Sequence, residues 1–554
     1  MNPLRRATHA AAAVLLAASL CAPHLAAQPT RADAEKDPIL KAMLTELDRS
    51  MDKLQLPGFP KPFFVEYRIE DVQDFVTRAT FGAATGSSST HVRIVRVSVR
   101  VGDYKTDSSG QRGDSSIELA ALDDDPIALR SALWQATDQA YKGALAAYAR
   151  KQAALKQVQT PPQADDFSRE KPEVALETPL TLHVDKPGWA SRVAHDSGIY
   201  HTNAAVSSSE RDIQYSTAAF HARVTNTWLV NSEGAILRKP MAEYQEIFAV
   251  GTQAPDGMKL DRSYDTTGPT LQSLDSPEAF QKHAVALITS LADLRKAPLV
   301  EEEYHGPVLL SSDASADTLY SLLATGLTAT RPPLGTEART NGPFASSYHA
   351  RVLPDFLSVV DDPNQKTFDG EGLLGAYRVD DEGVPAQTVQ LVADGRLENY
   401  LIGREPVRDF PQSNGHGRAG ITGPARPAIS VFKVMASNGL SDDELNHKLL
   451  ALAKDRDLKS VYYVATMGPS LSPRLLYRIT PDGNRQLVRG AALDDLDQRA
   501  LRSSIDAAGK DLWVANYFGE VPQTVLAPAL LLDDITVRRA NDKNEKLPFY
   551  PPPN

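Results

Sequence analysis

The chain has 554 residues, of which 42% are hydrophobic and 23% charged, and a formal net charge of −11. That length predicts two to four domains of about 150 residues each, with the composition of an ordinary globular protein. The acidic balance, with no basic block to offset it, argues against nucleic-acid binding. Cys21 is the single cysteine, so no disulfide framework can hold the fold together.

The N-terminus reads as a secretory signal over residues 1–27. Arg5 and Arg6 are followed by an apolar run from Ala10 to Leu20 and then by small residues up to a cleavage point after Ala27. That is the order of charge, apolar stretch and small-residue site that export requires. The run is shorter than the roughly 20 residues that cross a bilayer. A short membrane anchor and a lipoprotein at Cys21 are the alternatives, although Leu20 stands where a lipobox wants a small residue. Export predicts a periplasmic or secreted protein without a membrane span. Cleavage there also removes the chain's cysteine, and with it any thiolate nucleophile or metal ligand.

The predicted elements follow in order. Ile39, Met43, Leu44, Leu47 and Met51 repeat at helical spacing between Asp37 and Asp52. Phe63, Val65, Tyr67 and Ile69 alternate as a strand, and Val92 to Val101 is a second, rich in β-branched residues. Pro126 to Val158 reads as a long helix, and Gln159 to Pro172 as a linker or exposed loop. Asn231-Ser232-Glu233-Gly234 between two apolar runs signals a hairpin. Ser276-Pro277 starts a further helix, with Phe280, Ala284, Leu287, Leu291 and Leu294 on one face. Near Pro298 to Leu310 the texture changes to short strands and glycine-rich turns. The helix opening at Ser441, with Glu444 completing a capping box, is the exception. The spacing predicts an N-terminal domain over 28–300, a β-rich domain over 301–542 and a disordered tail over 543–554.

The second half carries motifs with chemical content. Val379-Asp380-Asp381-Glu382-Gly383-Val384-Pro385 is an acidic turn, followed by a hairpin through Leu391 to Tyr400. Ser413-Asn414-Gly415-His416-Gly417-Arg418 is a glycine-rich turn ending in arginine, and Ala527 to Val537 is an apolar strand. Jointly, in order and separation, these three segments resemble the TldD/PmbA metallopeptidase family. The resemblance implies an α+β protein: an α/β N-terminal domain of strands and long helices, then a β-rich C-terminal domain. It also implies dimers, either of this chain with itself or with a TldD-like subunit.

Catalytic members hold zinc through His-Glu-x-x-x-His on a helix, with a cysteine near the C-terminus as third ligand. Histidines one turn apart can face one ion, and a carboxylate beside the bound water serves as general base. Asp313 to Leu327 is the corresponding helix here, and it puts Tyr320, Ser321 and Thr325 at those positions. Tyr517 and Phe518 occupy the neighbourhood of the cysteine. The reading therefore assigns no catalytic residue, no metal ligand and no cofactor, with zinc expected only in a catalytic partner. His305, His349, His416 and His447 lie in this domain, but no two stand at helix-turn spacing.

Asp381, Glu382, Gly383, Asn414, Gly415 and Arg418 are the candidates for a substrate cleft. Asp380, Asp381 and Glu382 read either as acids of a metal-free hydrolase or, preferred, as a solvated turn capping backbone N–H groups. Arg418 either touches a peptide carboxylate or carbonyl or is structural. Asn414, Gly415 and Gly417 suit a turn with positive φ. The expected function is a non-catalytic, TldE/PmbA-like subunit that shapes a peptide cleft for a zinc-bearing partner. A stand-alone envelope peptide-binding protein, and a metallopeptidase with an unrecognised metal site, are the alternatives.

Overall fold

The computed structural model describes residues 29–110, 115–159, 162–206 and 213–540. The signal at 1–27 and the tail at 543–554 lie outside the described residues, so both readings stay as expectations. Among the described residues no helix is long and apolar enough to cross a membrane.

Two sheets organise the chain. The first has seven strands: β1 (Pro62–Thr80), β2 (Ala83–Val101), β3 (Ser115–Ala120), β4 (Val174–Leu176), β5 (Tyr215–Asn231), β6 (Ile236–Gln253) and β7 (Lys259–Gly268). They are ordered β3-β2-β1-β5-β6-β4, with β7 also on β6. β1 and β2 run far beyond the predicted Phe63–Ile69 and Val92–Val101 because they pair, with two register shifts, across a hairpin that continues to Thr80↔Ala83. β5 supports β1 over the same length, from Glu66↔Asn231 to Thr80↔Thr217.

Alternation gives this sheet two unlike faces. Val65, Tyr67 and Ile69, with Val95, Val97 and Trp228, point into a core covered by α1 (Pro38–Lys53) and α2 (Pro126–Leu155). Farther along the same face Phe75, Phe220 and Phe248 pack under α3 (Lys186–Ser197) and α4 (Pro277–Lys296). α4 starts where Ser276-Pro277 predicts it, with the Ser276 side chain accepting from the Ala279 N–H. α2 is capped by Asp125, which accepts from Ile127 N–H at 2.9 Å and Ala128 N–H at 2.8 Å. Asp125→Ala is expected to lower stability by about 1 kcal/mol, and Asp125→Asn by far less, in thermal unfolding.

The other face is polar, yet it is buried. Arg68, Glu70, Thr225 and Thr227 are each under one-tenth exposed. The second domain lies on this face and satisfies part of it: Arg68 Nη2 donates to Gly423 O at 2.6 Å and Arg96 Nη1 to Thr422 O at 2.8 Å. Residues 162–172, expected as an exposed linker, belong to the same contact. Asp166, Phe167 and Ser168 are buried. Lys151 from α2 and Arg331 from the second domain both ion-pair with Asp166, so its charge is neutralised from two sides.

The second sheet has eleven strands. These are β8 (Tyr304–Leu310), β9 (Leu357–Asp361), β10 (Val389–Ala393), β11 (Arg396–Leu397), β12 (Val431–Ala436), β13 (Val461–Gly468), β14 (Ser472–Ile479), β15 (Arg485–Val488), β16 (Ala491–Asp494), β17 (Ile505–Tyr517) and β18 (Gln523–Arg539). The order is β11-β10-β9-β12-β18-β8-β13-β14-β15, with β16 and β17 on β18. Only β12–β18 and β8–β13 are parallel among these pairs. β18 contains the apolar segment Ala527 to Val537 and is buried continuously from Thr524 to Leu532, as a central strand should be. α5 (Ser312–Leu322) packs on β13, β17 and β18. The predicted helix to Leu327 is interrupted: a 3-10 turn over Ala324–Leu327 follows, with Gly326 N–H bonded to Leu323 O. α6 (Asp442–Asp455) has the predicted capping box of Ser441 and Glu444. The α+β architecture is therefore as the motifs implied.

Candidate functional site

Where the second domain meets the polar face of the first sheet, it leaves a cavity of about 270 Å³. Its floor is built by strand register. Arg223, Thr225 and Thr227 alternate on β5, directly opposite Glu243, Met241 and Lys239 on β6. Its roof is the acidic turn and the glycine-rich turn, which contribute Asp381 and Arg418, with Tyr377 and Ala419 beside them.

One wall carries a three-membered charge set. Lys239 Nζ ion-pairs with Asp381 Oδ1. Arg418 Nε lies 3.4 Å from Asp381 Oδ2, which also accepts the Ala419 N–H at 2.8 Å. Burial pushes the Asp381 carboxyl up, but Lys239 and Arg418 outweigh it and hold it at about 2. The Arg418 guanidinium stacks over the Tyr377 ring at 4.2 Å. Its Nη1 is buried and has no hydrogen-bond partner among the described residues.

The opposite wall is acidic. Glu243 Oε1 accepts the Gly519 N–H at 3.3 Å. Its Oε2 is buried without a hydrogen-bond partner among the described residues, with Arg223 Nη1 3.9 Å away. Burial raises the Glu243 carboxyl to about 7 despite that amide and arginine. Arg223 is itself occupied by Asp74, to which its Nε donates at 3.0 Å. Thr225 Oγ1, between the two walls, is likewise buried and unpartnered among the described residues.

The remaining motif residues support this arrangement rather than line it. Asp380 accepts the N–H groups of Glu382, Val384 and Gly417 at 2.9, 2.8 and 2.9 Å. The turn caps backbone as expected, but it is buried, not solvated: Asp380 is 0% exposed and Asp381 6%. Burial drives the Glu382 carboxyl to about 8, with the neighbouring Asp380 adding to it. Its Oε2 accepts the Arg404 N–H at 2.6 Å, and a Cβ on Gly417 would sit 2.0 Å from that oxygen. Gly383 has φ +82° and abuts Ala235. Asn414 locks the chain through Ile402 N–H at 2.8 Å and Tyr400 O at 2.7 Å. Gly415, at φ +74°, lies against Pro385 O where a Cβ would come within 2.3 Å.

The positions matched to the zinc motif also come together in space. The Tyr320 ring stacks on Tyr517 with centroids 4.5 Å apart, and Tyr517 OH donates to Asp317 Oδ1 at 3.0 Å. Ser321 and Thr325 are exposed, and Thr325 Oγ1 turns back to Ser321 O at 3.4 Å. Burial and Asp317 raise the Tyr517 phenol far above its usual value, so it stays protonated. Stacked neutral phenols and exposed hydroxyls do not fit a zinc ion, which takes thiolate, imidazole or carboxylate donors. Among the described residues no three His, Cys, Asp or Glu side chains group as metal ligands.

Sequence reasoning found Asp381 and Arg418 but missed Glu243, Lys239, Thr225 and Tyr377. The signal was present as polar residues at every second position in Arg223-x-Thr225-x-Thr227, and on the partner strand as Lys239 and Glu243 flanking Met241.

Residues 303–539 match the PmbA/TldA metallopeptidase C-terminal domain. A 61-residue segment is 46% identical to a metalloprotease of Synechocystis sp., covering 9% of this chain and 13% of that relative's length. Three solved structures share the fold with a TM-score of 0.58 each. One is a candidate modulator of a DNA gyrase from Thermotoga maritima, 15% identical, covering 89% of this chain and 100% of its own. The second is TldE from Thermococcus kodakarensis, 13% identical, with 90% and 100% covered. The third, from Bacteroides thetaiotaomicron and also described as a candidate gyrase modulator, is 10% identical, with 91% and 100% covered.

Proposed function

We propose that this chain, which carries a C-terminal domain of the PmbA/TldA metallopeptidase family, is an exported, non-catalytic subunit that forms a peptide cleft for a zinc-bearing partner. One observation carries the reading. The positions assigned to the first metal ligand and to the cysteine neighbourhood do meet, as Tyr320 against Tyr517 at 4.5 Å, but they meet as a pair of phenols. A neutral phenol neither binds zinc well nor lowers the pKa of a water, so the hydrolytic step belongs to another subunit. This chain's part is to bind and orient an extended peptide, with the buried charges around Arg418 facing it.

Two measurements test this. Metal analysis of the purified protein is expected to find no stoichiometric zinc, and about one zinc per chain would overturn the non-catalytic reading. Affinity purification from the native host is expected to recover an exported homologue with an intact His-Glu-x-x-x-His. Recovery of homodimers alone would count against a partnered role.

A further inference from the structure

The cavity between the sheet and the two turns has opposite poles, each ending in an unused polar atom. On one wall two cations, Lys239 and Arg418, share one carboxylate, Asp381. That set carries one net positive charge, and Arg418 Nη1 is its open donor. On the other wall Glu243 and Asp74 share Arg223. With both carboxyls ionised that set has one net negative charge, and Glu243 Oε2 is its open acceptor. His221 leans on the same Asp74, with Nε2 2.7 Å from Oδ2. A buried unpaired donor or acceptor costs about 1–3 kcal/mol, and more when it is charged. Two such atoms on residues that line one cavity mark a site built for a ligand that offers an anion to one wall and an N–H to the other.

We propose that this cavity captures the free α-carboxylate end of a peptide, with the carboxylate on Arg418 Nη1 and a nearby peptide nitrogen donating to Glu243 Oε2. The inference rests on the peptide-cleft reading above and adds to it which part of the peptide is held. Arg418 is prepared for the task. Asp381 fixes its Nε, Tyr377 supports the plane of the guanidinium at 4.2 Å, and a planar guanidinium matches a carboxylate. Thr225 Oγ1, also unpartnered among the described residues, offers a hydroxyl beside the two charge sets. About 270 Å³ holds one or two small residues and not a folded chain. The same chemistry is offered by the end of a longer peptide and by a free dipeptide.

The test is fluorescence polarisation on the full chain, with fluorescein-labelled tetra-alanine bearing a free C-terminus and its C-terminally amidated twin. The free acid is expected to bind at least about tenfold more tightly than the amide. Arg418→Gln is expected to weaken the free acid by about ten- to a hundredfold while leaving the amide unchanged, and Glu243→Gln to weaken it less. Because Arg418→Gln also removes a partner of Asp381, Met241→Trp serves as a second variant that fills the cavity without touching any ion pair. It too should abolish the preference for acid over amide. Unlabelled Ala-Ala displacing the probe assigns the site to dipeptides. Its failure to do so, with the tetrapeptide bound, assigns it to the ends of longer peptides.

Equal binding of acid and amide overturns the carboxylate capture and leaves the peptide cleft standing. No binding of either by a chain with unchanged thermal unfolding overturns it as well. A missing zinc-bearing partner, by contrast, sinks the partnered role without affecting the difference between acid and amide.

Discussion

Replacing Arg404 by alanine is expected to cost about 3–5 kcal/mol of stability, because it strips a buried charge network of its centre. Arg404 is 1% exposed and belongs to the second domain, yet its guanidinium reaches partners in the first. Its Nη2 donates to Ser168 O at 2.6 Å and ion-pairs with Glu233 Oε2 at 2.6 Å. The guanidinium also lies 4.0 Å from the Phe167 ring and 5.2 Å from Phe64. Truncation leaves Glu233 with the Tyr104 hydroxyl and opens a cavity between two aromatic rings. Arg404→Lys keeps the charge but loses the planar stacking, so it should fall between alanine and the parent. Urea unfolding followed by tryptophan fluorescence reads the effect as an earlier midpoint. An alanine variant whose midpoint matches the parent's would show that the network is redundant. Glu233→Gln should be milder, since it keeps an acceptor for Arg404 and opens no cavity, although the Arg404 cation loses its counter-charge.

That contact also shows where sequence reading stopped. The helices were legible because their signals are local: the proline at the start of α4, the box of Ser441 and Glu444, and the apolar stripe of α1. The hairpin at Asn231–Gly234 was legible for the same reason, and it is the turn between β5 and β6. β1 and β2 were seen only in part. From Gln73 to Thr90 their polar and small residues lack the apolar alternation of a half-buried strand, and pairing with β5 and with each other is what extends them. The stretch from 162 to 172 read as exposed because it carries prolines and charges. Nothing local reveals that Lys151 and Arg331 converge on Asp166. The site divides the same way. Asp381 and Arg418 stand in recognisable turns, whereas Glu243 and Lys239 lie more than 130 residues earlier in strands whose polar face would normally meet water. Only the docking of the second domain turns that face into a buried cavity.

Thermal stability is expected to fall as the pH rises from about 5 to about 8.5, contrary to the usual expectation for an acidic protein. Several carboxyls are held protonated by the fold. Burial raises Glu246 to about 8, against the pull of Arg192 and with Asp196 adding to it. Burial likewise takes Glu382 to about 8 and Glu70 to about 7. Each ionises near 4.5 when unfolded, so between that value and its folded one the native state binds more protons than the unfolded state. The slope of stability against pH is then negative: the contribution is complete below about 4.5 and is lost as the pH passes through about 7 to 8. The carboxylates held low act in another window. Asp381, at about 2, and Asp107, lowered mainly by Arg100 against its burial, favour the fold above the usual carboxylate range and lose that effect only in acid. Over the neutral range the raised group therefore decides the sign, with a fall in the unfolding midpoint on the order of 5 °C. Glu246→Gln removes one titrating group while keeping a hydrogen-bond acceptor for Arg192. Its midpoint should approach the parent's at pH 5 and exceed it at pH 8.5, flattening the profile. A parent midpoint that climbs steadily across this range would mean that these carboxyls are ionised in the native protein at neutral pH.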